Sequence, residues 1–319
     1  MARRLSERAT TLEPAAAVTG TSRWRPRHDR WAGATPWMFV APLVLVVLAV
    51  FAFPIVSLIR YSFQEVGSGS VPSEWVGLQN YELVKDDDLY WRALGNNLRF
   101  LLCVPVMIVV AALASALLHD RVRGWQAYRF LVFLPYVLAI PVVGIVFGYL
   151  FKLNGLVNSA LDTVGLGSLE QDWLGSSDRA IYAIMFVIVW KELGFGIIVF
   201  LARLASVGDE LYDAARVDGA GWWSVFRHVT IPSLVPAIVF FAVVETITML
   251  SWVFAYVYVM TTGGPGNSTV VTEFYIYQKV FFNNNIGIGA AAAVSLLALV
   301  AALIVTRLWA LRRFEGEAT

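Results

Sequence analysis

Cysteine, histidine and charge are all scarce in this chain. Cys103 is the one cysteine among 319 residues, which excludes an intramolecular disulfide, and the three histidines are scattered, so no metal-ligand spacing appears. Charged residues make up 15%, well below the roughly 25% of a soluble globular domain. A net charge of +1 gives no global field to hold nucleic acid. No Gly-x-x-x-x-Gly-Lys-Ser/Thr phosphate loop occurs. The Gly263-Gly264-Pro265-Gly266 run lacks the lysine and reads as a turn. Any ATP hydrolysis must then come from a partner. Short-period repeats and low-complexity tracts are missing as well.

What is abundant is apolar surface, at 58% of residues, which points to a membrane protein. A helix needs roughly 20 apolar residues to cross the hydrocarbon core. Six segments qualify: Trp37–Ile59, Leu98–Leu118, Phe130–Phe151, Ile181–Ala202, Ser233–Met260 and Ile286–Leu308. The third contains Pro135, Pro141, Gly144 and Gly148, and the fifth is long and holds Glu245. Backbone groups freed by such prolines must be satisfied by neighbouring helices or a wet cavity. The first segment, about 23 residues, exceeds the usual 7–15 of a signal peptide, and Arg60 and Tyr61 stand where small residues would mark cleavage. It reads as an uncleaved anchor.

Basic residues fix the orientation. Arg3 to Arg30, then Arg121, Arg123 and Arg129, then Arg203, Arg216 and Arg227, and finally Arg307, Arg312 and Arg313 fall on one side. The sparser set Arg60, Lys85, Arg92, Arg99, Lys152, Arg179 and Lys279 falls on the other. Both termini are therefore expected in the cytoplasm. The expected domains are a disordered basic tail over 1–36, a membrane domain over 37–309 and a cytoplasmic tail over 310–319. The first tail either touches anionic headgroups or only sets topology.

One polar segment, 203–232, is too long for a plain connection between spans. Asp213-Ala214-Ala215-Arg216-Val217-Asp218 suits a short helix, Gly219 permits the turn after it, and Ala220 follows. Trp222, Trp223, Val225, Phe226 and Val229 continue as a second amphipathic stretch that needs burial or an interface. Pro232 is expected to bend the chain into the fifth span.

Asp213-Ala214-Ala215, Gly219 and Thr230-Ile231-Pro232 resemble the cytoplasmic signature of permease subunits in binding-protein-dependent ABC importers, with Asp213 for the usual Glu and Ile231 for a common Leu. The loop Met260–Thr269 with Tyr275-Ile276-Tyr277 is similar to the outer loop of maltose-type permeases. So are Trp75–Tyr81 with Ala93–Asn97, Phe133–Tyr136 and Val189–Lys191 to other stretches of the same subunits. The resemblance implies an all-α integral membrane protein of six transmembrane helices, with a coupling helix between spans four and five. It implies a second permease, two ABC ATPase subunits that bind the ATP and magnesium, an extracytoplasmic solute-binding protein and a sugar cargo. Asp213, Ala214, Ala215, Asp218, Gly219, Ala220 and Pro232 would form the ATPase contact. A glycerol phosphate or another polar cargo is the alternative within this family, and no cofactor is expected in the chain itself.

Lys191 and Glu192 fall mid-span, where each costs roughly 2.5–3.5 kcal/mol on insertion scales, so they should face protein or water. Helix neighbours point about 100° apart, so the two should have different partners, one of them Glu245. With Trp190 and Trp252 these three residues are the candidate substrate path. Aromatic rings stack on a sugar's C–H face, yet they also form interfacial belts, and Tyr256 and Tyr258 read as belt residues. An ion-coupled carrier using Lys191, Glu192 and Glu245 is the rival reading, and a transport-free scaffold is a third. Proteoliposomes holding the assembled importer should accumulate cargo with ATP inside and no ion gradient; uptake that needs the gradient would favour the carrier.

Overall fold

The computed structural model describes residues 35–67, 72–119 and 125–316. The basic tail expected over 1–36 lies outside these apart from its last two residues, as do Arg121 and Arg123. Among the described residues, five helices are long and apolar enough to cross a membrane: Trp37–Ser62, Asp88–His119, Ala180–Leu204, Trp222–Ser251 and Ile286–Thr306. A bent pair, Ala127–Val137 with Ile140–Leu150, makes a sixth if it counts as one span. The last helix continues to Gly316.

The third segment is where prolines reshape the fold most. Its two halves meet at 96°. Pro135 removes one amide donor near the end of the first half, and Pro141 starts the second at a position where a helix needs no donor. The fourth span packs against the second span, the first half of the bent pair and the fifth span. Gly194 and Gly196 make that possible. A Cβ on Gly194 would lie 2.5 Å from the Val132 carbonyl oxygen, and one on Gly196 would lie 2.9 Å from the Phe241 ring.

Pro232 does not bend the chain as expected. The fifth span runs unbroken from Trp222 to Ser251, eleven residues before the expected start at Ser233. A π turn at Phe226–Thr230 precedes the proline, and the Ile231 amide donates to the Phe226 carbonyl. Widening the turn relieves the clash between a proline ring and the carbonyl four residues back, so the helix absorbs Pro232. The first apolar helix repeats the device: a π turn at Leu48–Ala52, with Phe53 donating to Leu48, precedes Pro54. The fifth span also ends early. Trp252 (φ −126°, ψ 0°) breaks it, and Phe254–Met260 is a separate short helix.

The second span starts at Asp88, not Leu98. Asp87 caps it, accepting a hydrogen bond from the Leu89 amide at 2.9 Å. Its added turns form a clamp at the end of the bundle opposite the 209–217 helix, here called the distal end. The Asn96 amide donates to the Ser268 and Val270 carbonyls at 2.8 Å each. Asn97 accepts from the Thr272 amide at 2.7 Å and donates to Glu273 at 3.0 Å. Tyr275 donates its hydroxyl to Asp87, which also pairs with Lys279 at 2.8 Å. Partial burial alone would raise the Asp87 pKa, but the bonds from Lys279 and Tyr275 outweigh it and hold the carboxyl below its ordinary range.

Glu273 behaves in the opposite way. Burial pushes it from 4.5 up to about 7, against the bond from Asn97. The folded clamp therefore holds a proton more tightly than the unfolded chain does. That contribution to stability is complete below pH 4.5 and is lost as the pH rises through about 7. It is on the order of 3 kcal/mol. Thermal unfolding of the purified protein should show this loss across the window, and Glu273→Gln should remove that part of the slope.

Candidate functional site

Two features gather the polar residues of this apolar chain. The first is an elbow between the fourth and fifth spans. Helix Asp209–Val217 forms its near arm. Gly219 adopts φ +74°, with open space where a Cβ would stand. The Gly219 amide donates to the Arg216 carbonyl at 3.0 Å, and the Ala220 amide donates to that of Ala215 at 2.9 Å. These two bonds close the helix end in the manner that favours a glycine.

The elbow is held by one residue that sequence reading missed. Tyr212 is buried, and its ring lies 5.3 Å from that of His119 at the end of the second span. Phe226 is buried as well, stacked on Trp222 at 5.3 Å. The remainder of the near arm is open. Asp213, Ala214, Asp218 and Gly219 are exposed, and Val217 is 87% exposed. Asp213 meets only Arg216 of its own helix, at 3.2 Å with both side chains mostly in solvent, which is worth little. Pro232 lies on the far arm, inside the continuous fifth span. Val217 thus stands apolar and open beside Asp218 at the tip of a rigid turn.

The second feature lies at mid-bundle. Lys191 and Glu192 each have a partner of their own, as expected, but neither is Glu245, and the two also pair with each other at 3.3 Å while both are buried. The break in the third segment explains this. Helix Ala127–Val137 ends there, and its last carbonyls have no helical donor. The Lys191 ammonium donates to the Tyr136 carbonyl at 3.2 Å and so serves the negative end of that helix. Glu192 then neutralises the lysine and accepts the Tyr256 hydroxyl at 3.1 Å. Tyr256 is thus no belt residue: it is 2% exposed and bonded inside the bundle. Tyr258, at 42%, remains partly exposed.

Glu245 does not close an ion pair. It is buried, one of its carboxyl oxygens has no hydrogen-bond partner, and it lies within electrostatic reach of Glu192 and Lys191. A shallow cavity of about 310 Å³ opens beside the pair, lined by Tyr136, Ile140, Lys191, Glu192, Thr248 and Trp252. Three of the five path candidates therefore meet there. Trp190 does not, because its ring turns edge-on to Phe147 at 5.0 Å. Tyr136 and Thr248 were missed. Tyr136 follows Pro135, where a break frees carbonyls, and Thr248 stands one turn after Glu245 on the same helix.

Several spans around a buried charged pair and an open polar cavity, with a rigid elbow at one end, define a membrane-transport subunit. The chain belongs to the family of inner membrane components of binding-protein-dependent transport systems, whose model matches residues 100–313. It is 31% identical over 272 residues to the probable ABC transporter permease protein YurN of Bacillus subtilis, covering 84% of this chain and 92% of that one. It is 32% identical over 293 residues to the lactose transport system permease protein LacF of Rhizobium radiobacter, covering 90% and 97%. The fold matches a chain of a bacterial ABC transporter involved in import of the acidic polysaccharide alginate, with a TM-score of 0.77 at 24% identity, over 89% of this chain and 99% of that one.

Removing one member of a buried ion pair costs about 3–5 kcal/mol, because it strands the other charge. Lys191→Met should therefore lower the unfolding temperature sharply, and adding Glu192→Gln should recover most of the loss. A double variant no more stable than the single one would contradict the pairing.

Proposed function

We propose that this chain is a permease subunit of an ATP-driven importer for a sugar or oligosaccharide. It forms the translocation path with a second permease. A solute-binding protein delivers cargo at the distal end, and two ATPase subunits bind ATP and magnesium on the elbow side, which is the cytoplasmic side with both chain termini. The chain itself is a non-catalytic part of the bacterial cell membrane, crossing it several times.

The observation that carries this reading is the elbow. Asp213, Ala214, Ala215, Asp218, Gly219 and Ala220 form a stiff corner that one buried tyrosine anchors and that leaves Asp213, Ala214, Asp218 and Gly219 exposed. The small alanines allow close approach by a partner, and the acids suit basic groups on it. The far arm is continuous with the fifth span through Pro232, so displacement of the corner tilts the helix that carries Glu245 and Thr248 and ends at Trp252. Lys191 and Glu192 on the fourth span flank the same cavity. Movement at one end thus reaches a mid-membrane site by rigid elements, as alternating access needs.

A sugar suits the cavity because the exposed Trp252 offers a ring face, while Thr248 and the charged pair offer hydrogen-bonding groups for hydroxyls. The relatives that transport lactose and import alginate favour the same class. Gly219→Pro imposes φ near −65° on a residue at +74° and deletes the amide that closes the helix. The variant should insert normally but lose sugar uptake and stimulation of the ATPase subunits. Wild-type uptake by Gly219→Pro would sink the coupling role.

A further inference from the structure

A cleft of about 470 Å³ opens at the distal end, between a short hairpin and the start of the last span. Strands Gln64–Glu65 and Glu74–Trp75 form the hairpin. The polar side chains of the lining are Glu65, Glu74, Gln79, Asn80, Asn284 and Asn285. Each of them can offer an oxygen. No Lys, Arg or His lines the cleft among the described residues. Neither the mid-bundle cavity nor the elbow uses it.

The hairpin register sets two of these oxygens' owners against each other. Glu65 pairs directly with Glu74 across the antiparallel ladder. Directly opposite residues point to the same side of a sheet, with Cβ atoms about 4.5–5.5 Å apart, and like charges there repel. The ion pairs among the described residues involve neither carboxylate. Asn80 is the second observation. It is 5% exposed, and its amide nitrogen donates to the Ser62 and Gln64 carbonyls at 3.0 Å each. Those two bonds spend both amide hydrogens and fix which end of the side chain is the oxygen. That oxygen accepts no hydrogen bond among the described residues, although Asn80 lines the cleft. Gly287 brings the last span against it. A Cβ there would lie 2.7 Å from the Asn80 nitrogen and closer still to the Gln64 carbonyl oxygen, so a larger residue would push this wall away.

We infer that this cleft is a calcium site, with the Glu65 and Glu74 carboxylates as its charged ligands and the Asn80 oxygen as a fixed neutral one. Calcium takes about six to eight oxygens in loose geometry, from carboxylates, amide carbonyls and water. Gln79, Asn284 and Asn285 offer further amide oxygens, and water completes the shell. Magnesium demands a tighter octahedron and gives up its water reluctantly, so a wide cleft suits calcium better. Zinc and copper favour nitrogen and sulfur ligands, which this lining does not supply. A bound ion offsets the repulsion between Glu65 and Glu74 and ties the hairpin to the last span. Two charged ligands make a weak site, with a Kd of roughly 10⁻⁴–10⁻³ M as in extracellular modules. The binding stands on the cleft alone. Only the supply of calcium from outside the cell rests on the importer reading, which puts the distal end there.

The test uses the purified importer with its ATPase subunits, in detergent and without nucleotide. Terbium(III), a luminescent ion with calcium's preference for oxygen, should emit when excited through Trp75, the neighbour of Glu74. Calcium should displace it at concentrations roughly tenfold or more below those magnesium needs. Trp75→Phe should lose most of the emission yet keep the rise in unfolding temperature between EGTA and millimolar calcium. Glu65→Gln and Glu74→Gln should each weaken calcium binding by roughly tenfold or more, and the double variant should lose the calcium-dependent rise. A wild-type unfolding temperature that calcium does not move would overturn the inference. Equal displacement by magnesium would do the same, as would a calcium response that survives in the double variant. If that variant keeps the response and loses only uptake, the cleft instead receives a basic side chain of the solute-binding protein. The calcium readings involve no transport, so their failure would leave the importer reading to be judged by Gly219→Pro.

Discussion

A carbonyl released inside a membrane must find a donor, and the bond from Lys191 to Tyr136 answers that demand. The third segment turns through 96° at 138–139, so its first helix ends partway along the apolar segment. Lipid offers no hydrogen bonds there. A lysine supplies one, but it brings a charge that must be balanced, and Glu192 does so from the next position. Glu192 in turn draws the Tyr256 hydroxyl from the short helix after the fifth span. One break therefore ties together the third, fourth and fifth apolar segments. It also leaves a polar cavity where a straight apolar helix would have closed the bundle.

The two ends of the molecule hold this centre differently. At the distal end, Asn96, Asn97 and Asp87 fasten the second span to the loop after Met260 through several side-chain hydrogen bonds. That end is a fixture. At the other end, the elbow relies on Tyr212 and Phe226 and exposes most of the remainder. A rigid clamp at one end and a lightly anchored lever at the other allow the fifth span to pivot. The π turn before Pro232 matters here, because a kinked helix would absorb motion that a continuous one transmits.

Much of this was legible in the sequence. Apolar run length locates the spans, since the requirement for about 20 residues leaves little freedom. Gly219 was readable as a turn because a left-handed residue after a helix is nearly a glycine monopoly. Lys191, Glu192 and Glu245 stood out by their cost in lipid. What could not be read was angle and partner. Pro135 and Pro141 announced disturbance in the third segment, but Pro232 announced the same and produced no bend, because the preceding turn widened instead. Tyr256 looked interfacial by position along the chain, whereas the break at Trp252 redirects it inward to Glu192. Tyr212 gave no signal at all, since only the fold brings it to His119, more than ninety residues earlier.

The account requires that the elbow and the mid-bundle cavity move as one. This is measurable as the reactivity of Thr248→Cys, in a Cys103→Ser background, toward a charged thiol reagent added on the distal side of the reconstituted importer. With the elbow intact, trapping the ATPase subunits in their closed state with ADP and vanadate should raise that reactivity several-fold. With Gly219→Pro it should not change. An equal rise in both would contradict the account, because the cavity would then open without force passing through the elbow.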